Sequence, residues 1–266
     1  MIKCNNKEII GEYFKNNEIR IRNLDYVNDS LFELKYESSD DLISLMFLKK
    51  AYDDKKLTSY LYIKYMPYSR MDREFTNDLF LLKYIASFIN ELNFKKVFIL
   101  EPHSKVTEEL INNIVVISPM NELLDLVKKD INFSEYDHIV YPDLGSFKRY
   151  YNKDIKNFIK FNKKRDENTT LIKKLYVESG KVNKKSKCII IDDLIATGNT
   201  ANNVAKILKE RGASKVYVLT VHTENQIINN HIIDDLYIDK IYTTDSILTI
   251  NHFKIELLLY NHIINY

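Results

Sequence analysis

The stretch CIIIDDLIATGNTANNVAKIL, from Cys188 to Leu208, constrains the fold of this chain more than any other. Four apolar residues, too few for a helix and followed by acids, predict a buried strand. Two adjacent carboxylates follow, Asp192 and Asp193, then a short loop through Ala196, Thr197, Gly198, Asn199 and Thr200. Beyond it Ala201, Val204, Ala205 and Leu208 recur at helical spacing, and Gly212 supplies a helix stop before a further strand, Val216 to Val221. A helix N-terminus offers unpaired N–H groups and a positive dipole end, which suit a phosphate. Gly198 allows close backbone approach, and the hydroxyls of Thr197 and Thr200 can donate as well. Acids beside a phosphate make sense if they accept ribose hydroxyls or hold a magnesium ion. An Asp–Asp turn with Thr200 as ordinary N-cap is the bland alternative.

The same alternation recurs upstream. Leu61 to Met66 reads as a strand ending at Pro67. Leu82, Ile85, Ala86 and Ile89 then line one helical face, and Val97 to Leu100 reads as the next strand, ending at Pro102-His103. Strand, helix, strand predicts a parallel pair with a right-handed crossover. Ile139 to Tyr141 runs into Pro142-Asp143 in the second half. The expectation is an α/β protein of two lobes, 1–120 and 121–266, with the boundary falling between about 105 and 135. In parallel sheets ligands collect at the carboxyl ends of the strands, which is where Arg70 to Arg73, His103, Asp143 and Asp192 to Thr200 fall.

Composition narrows the function. With 266 residues, 45% hydrophobic and 29% charged, the chain can build real cores. A net charge of +2 and no long basic face with interleaved aromatics argue against nucleic-acid binding. No apolar run reaches the roughly 18 residues a membrane helix needs, and no secretory leader opens the sequence, so a cytoplasmic location is expected. Cys4 and Cys188 form no metal-ligand spacing, and Cys188 reads as a buried free thiol.

The phosphate loop looks like that shared by type I phosphoribosyltransferases and PRPP synthetases, and alone it fits either. Five further motifs resemble the ribose-phosphate pyrophosphokinase (PRPP synthetase) family. Phe14-Lys15-Asn16-Asn17-Glu18 is similar to its F-x-N-x-E loop, and Pro67-Tyr68-Ser69-Arg70-Met71-Asp72-Arg73 to its P-Y-x-R-Q-D-R/K signature. Glu101-Pro102-His103-Ser104 stands where the family has D-L-H-A. Tyr141 to Arg149 resembles S-P-D-x-G-G-x-K-R, and Phe161 to Arg165 resembles the catalytic-loop H-K-x-R.

The resemblance implies two phosphoribosyltransferase type I-like lobes and a diphosphate transfer from ATP to ribose 5-phosphate, giving PRPP and AMP. It assigns Phe14, Asn16, Glu18, Arg70, Asp72 and His103 to ATP, and His103 and Asp143 to Mg2+. Lys163, Arg165 and His103 would be catalytic, with Lys163 and Arg165 on a flexible polar segment closing over the phosphates. Asp192, Asp193 and Ala196 to Thr200 would bind the ribose phosphate. Arg73 is explained equally well by a surface ion pair. A homo-oligomer sharing the ATP site between subunits is implied as well.

The chain reads as a short, divergent member of that family. Met71 replaces Gln, Glu101-Pro102 replaces Asp-Leu, Ser146 replaces the second Gly, and Ala196 stands where an acid is usual. F-x-N-x-E begins at Phe14, which leaves little room for the family's first strand and helix. Thr243-Thr244-Asp245-Ser246 only approximates the late T-N-T motif. These departures lie partly on the acceptor side, so a larger acceptor such as ADP-ribose is an open alternative. A phosphoribosyltransferase that consumes PRPP, or a non-catalytic regulator that keeps the fold, completes the set.

Overall fold

The computed structural model describes residues 1–74, 78–165, 172–229, 233 and 237–258; within these, the side chains of 164, 165, 172–174 and 229 are not described. The chain divides into two compact units, Met1–Ser118 and a second that begins at Pro119.

The first unit opens with short strands β1 (Ile2–Cys4) and β2 (Lys7–Ile9), then a hairpin of β3 (Gly11–Tyr13) and β4 (Ile19–Ile21). Among the described residues no helix precedes α1 (Ser39–Asp54), and the segment before Phe14 holds the short strands β1 to β3. β5 (Ser30–Leu34), α1, β6 (Ser59–Ile63), α2 (Leu81–Glu91), β7 (Val97–Leu100), α3 (Lys105–Leu110) and β8 (Ile114–Ile117) then alternate. The sheet order is β2-β1-β5-β6-β7-β8, with β5 to β8 mutually parallel. On α2, Leu82, Ala86 and Ile89 are buried as the spacing predicts, against Phe32, Leu61 and Ile99 in one core. The strand expected through Met66 stops at Ile63. The chain turns there instead, with Tyr68 at φ 60° and the Ser69 N–H donating to the Met66 carbonyl.

The second unit contains α4 (Met120–Asp130), β9 (His138–Tyr141), α5 (Leu144–Tyr150), β10 (Phe158–Arg165) and β11 (Ile172–Ser179). β12 (Lys187–Ile195), α6 (Asn199–Glu210), β13 (Lys215–Thr223), α7 (Gln226–Asn229), β14 (Lys240–Thr243) and β15 (Ile255–Leu257) complete it. Its sheet runs β11-β10-β9-β12-β13-β14-β15, parallel except for the β10–β11 pair. Val140, Ile190 and Val218 from the three central strands pack with Ala201, Val204, Ala205 and Leu208 of α6 to make its core. Burying that helix face is what fixes where the loop before α6 must lie.

Two expectations need correction here. β12 does not end at the acids but continues through Asp192 and Asp193 to Ile195, because its backbone stays paired with β13 as far as Ile195 opposite Thr223. Lys163 and Arg165 lie on a strand rather than on an irregular segment. They sit on β10, laddered to β11 with Lys163 opposite Leu175 and Arg165 opposite Ile172. The physical cause is the period-2 run Ile159, Phe161, Lys163, whose first two members are fully buried.

Candidate active site

Helix α6 begins at Asn199, and its N-cap is Gly198 at φ 81°, not Thr200. That left-handed backbone favours glycine, and it lets the chain leave β12 and enter the helix within three residues. Ala196, Thr197 and Thr200 are half-buried and Asn199 is exposed, so the predicted phosphate loop forms the connection from β12 to α6.

At the carboxyl ends of β9 and β12 the same unit gathers three carboxylates and two cations. Asp143 caps α5, its Oδ1 accepting the Ser146 N–H at 2.9 Å. Its Oδ2 meets Lys163 Nζ at 2.6 Å. Burial would raise the Asp143 carboxyl, but the Lys163 hydrogen bond and charge, with the Ser146 and Gly145 N–H groups, hold it below its ordinary value. Asp193 is buried and pairs with Arg149 Nη1 at 3.3 Å. Asp192 is pushed well above the usual carboxylate range by burial and by the charges of Asp193 and Asp143, against which Lys163 pulls only partly. Three acids so close cannot all ionise cheaply without a further cation or a hydroxyl-rich ligand.

In the first unit, Asp72 is almost fully buried. Arg73 donates to it through Nε at 2.7 Å and Nη2 at 3.1 Å, while the Arg73 side chain itself is 74% exposed. The Arg73 hydrogen bond outweighs burial and, with Ser104 and the charges of Arg73 and His103, holds the Asp72 carboxyl down. Asp72, Ser104 and His103 therefore meet, and Arg70 stands exposed on the same turn. Phe14, Asn16 and Glu18 form the exposed tip of the β3–β4 hairpin. The Phe14 N–H donates to the Glu18 carbonyl at 3.0 Å, Asn16 Oδ1 accepts the Glu18 N–H at 3.3 Å, and Arg20 lies over the Phe14 ring at 5.7 Å.

The structure thus joins Asp143, Lys163, Asp192 and Asp193 in one unit, and Asp72 and His103 in the other. Arg165 belongs to β10, but its side chain lies outside the described residues. Sequence reasoning gave no role to Ser146 or Arg149; their signal is spacing, three and six residues beyond Asp143 on one short helix.

The fold is α/β with two phosphoribosyltransferase type I-like lobes, and in the second a short loop joins β12 to α6. Residues 172–257 match the phosphoribosyl synthetase-associated domain family. The ribose-phosphate pyrophosphokinase of Thermoplasma volcanium is 34% identical over 123 residues, covering 42% of this chain and 39% of that protein. The enzyme of the same name from Saccharolobus solfataricus is 28% identical over 200 residues, covering 70% and 65%. That from Ureaplasma parvum serovar 3 is 29% identical over 235 residues, covering 83% and 66%. The crystal structure of phosphoribosylpyrophosphate synthetase from Mycobacterium smegmatis shares the fold with a TM-score of 0.77 at 16% identity, covering 94% of this chain and 85% of that one. The chain is thus similar in sequence to ribose-phosphate pyrophosphokinases, and its match spans 39% to 65% of the length of the first relatives named above.

Proposed function

We propose that this chain transfers the β,γ-diphosphate of ATP to the anomeric hydroxyl of ribose 5-phosphate, giving PRPP and AMP. The observation that carries the reading is the cluster of Asp143, Lys163, Asp192 and Asp193 beside the loop that opens α6. Asp192 and Asp193 accept the ribose hydroxyls, which relieves the crowding of their charges. The N–H groups around Gly198 to Thr200, with the hydroxyls of Thr197 and Thr200, hold the 5-phosphate.

Lys163, with Arg165 two residues on, neutralises charge on the transferring diphosphate; such transfer depends on positioning and electrostatics rather than covalent chemistry. The leaving group is AMP, and the proton of the anomeric hydroxyl passes to solvent as the new C–O–P bond forms. Asp72 and His103 face the nucleotide in this reading, Arg70 its phosphates, and Phe14, Asn16 and Glu18 the adenosine of ATP bound to a neighbouring subunit.

A magnesium ion is implied by the resemblance to ribose-phosphate pyrophosphokinases. The donor chemistry fits: Mg2+ takes one or two carboxylates together with waters and substrate phosphates, and Asp143 offers a charged carboxylate at the strand end. When bound it would offset charge on the triphosphate.

Incubation with ATP, Mg2+ and an acceptor panel of ribose 5-phosphate and ADP-ribose, with mass detection, tests the reading. AMP with a diphosphorylated ribose 5-phosphate is expected. A product from ADP-ribose alone would move the activity to the larger acceptor, and no AMP with either would remove the reading.

A further inference from the structure

The ladder between β9 and β12 pairs Cys188 with His138, Ile189 with Ile139 and Ile190 with Val140, and goes no further. β9 ends at Tyr141, and the next residue is Pro142, which has no N–H to continue it. Ile191, directly before the acidic pair, is buried, and a buried carbonyl needs a donor. The Ser146 hydroxyl supplies one, at 2.5 Å from the Ile191 oxygen, while the Ser146 N–H donates to Asp143 Oδ1 at 2.9 Å. Ser146 is 5% exposed, so water does not compete for that hydroxyl. Three residues further along α5, Arg149 reaches Asp193 at 3.3 Å.

One residue therefore bonds both to the capping carboxylate of α5 and to the strand that delivers Asp192 and Asp193. Glycine, which the family motif has here, could make only the first bond. We infer that Ser146 is a positioning residue that fixes the spacing between Asp143 and the Asp192–Asp193 pair, with Arg149 as a second tie; the inference rests on the reading of the site given above. It does not touch substrate. Its hydroxyl takes over where the strand ladder stops, so the acceptor side is held rigid without a further β9 residue.

The test uses S146A, which keeps the N–H bond to Asp143 and removes only the hydroxyl, and S146T, which restores it. Loss of a hydrogen bond to a buried carbonyl predicts a rise of about tenfold in KM for the acceptor in S146A, with KM for ATP changed less than about twofold and S146T nearer wild type. Hydrogen exchange on the same proteins should show faster exchange of α5 amides in S146A, with β13 unchanged. Equal acceptor KM in S146A and wild type, or parallel rises in both KM values, would overturn the inference. If the wild-type chain turns over no acceptor, the pyrophosphokinase reading falls. Exchange then decides alone: unchanged α5 protection in S146A overturns the tie, and faster exchange sustains it.

Discussion

At the residue scale, Lys163 does two things that exclude one another. In the structure it neutralises Asp143 at 2.6 Å, and in the proposed reaction it faces the transferring diphosphate. A ligand phosphate with its own cation must therefore take its place on Asp143. Removing a single preorganised charge of this kind predicts that K163A loses roughly 10²–10³-fold in turnover, with ATP affinity kept in an equilibrium binding assay. Unchanged turnover would take Lys163 out of the mechanism. Cys188 gives a second prediction of opposite character. Burial pushes its thiol up to about 12, so it should resist thiol-directed alkylation in the native protein and react once denaturant is added. Its burial was legible in sequence because it stands in a run of four apolar residues. The environment of Lys163 was not, because the partners that make it matter come from another strand and another helix.

At the element scale, the strand–loop–helix from Lys187 to Glu210 was legible because apolar periodicity switches sharply from a continuous run to 3.6-residue spacing. The four predicted helix-face residues are all buried. Its internal boundaries were less so. Pairing of β12 with β13 is a backbone matter, indifferent to the acids at 192 and 193, so the strand runs on past them. β10 was not read as a strand because its lysines and asparagine hide the alternation of Ile159 and Phe161. Gly198 carries the sharpest prediction for this element. At φ 81° an added Cβ costs roughly 1–2 kcal/mol, so G198A should lower the denaturation midpoint and, by shifting the start of α6, weaken binding of a ribose phosphate in calorimetry. A variant as stable as wild type with full phosphate affinity would show that the loop does not depend on this backbone.

At the scale of the whole molecule, the acceptor-side groups proposed for the second unit lie toward the carboxyl ends of β9 and β12, and a different chemistry occupies the start of β9. His138 opens β9, 3% exposed, with its Nε2 accepting the Asn183 N–H at 3.1 Å. Its Nδ1 therefore carries the proton of a neutral ring, and among the described residues that N–H has no acceptor. Burial lowers its pKa below 6.5, and the neighbouring charge of Asp137, itself engaged by Ser134 and the Lys187 N–H, only partly opposes this. The sign follows from linkage. Between the lowered native value and 6.5 the unfolded chain binds a proton that the native chain refuses, so stability is complete above that window and declines as pH falls through it. H138Q removes the titration while keeping a side-chain acceptor for the Asn183 N–H. Denaturant unfolding from about pH 5 to pH 7.5 should therefore show wild type losing stability faster than H138Q below about 6.5, with the two curves parallel above it. Parallel curves throughout would mean that the ring is free to take its proton in the folded state, through a rearrangement around Asn183. That end of the sheet would then be soft where a parallel strand start, buried among paired neighbours, has every reason to be stiff.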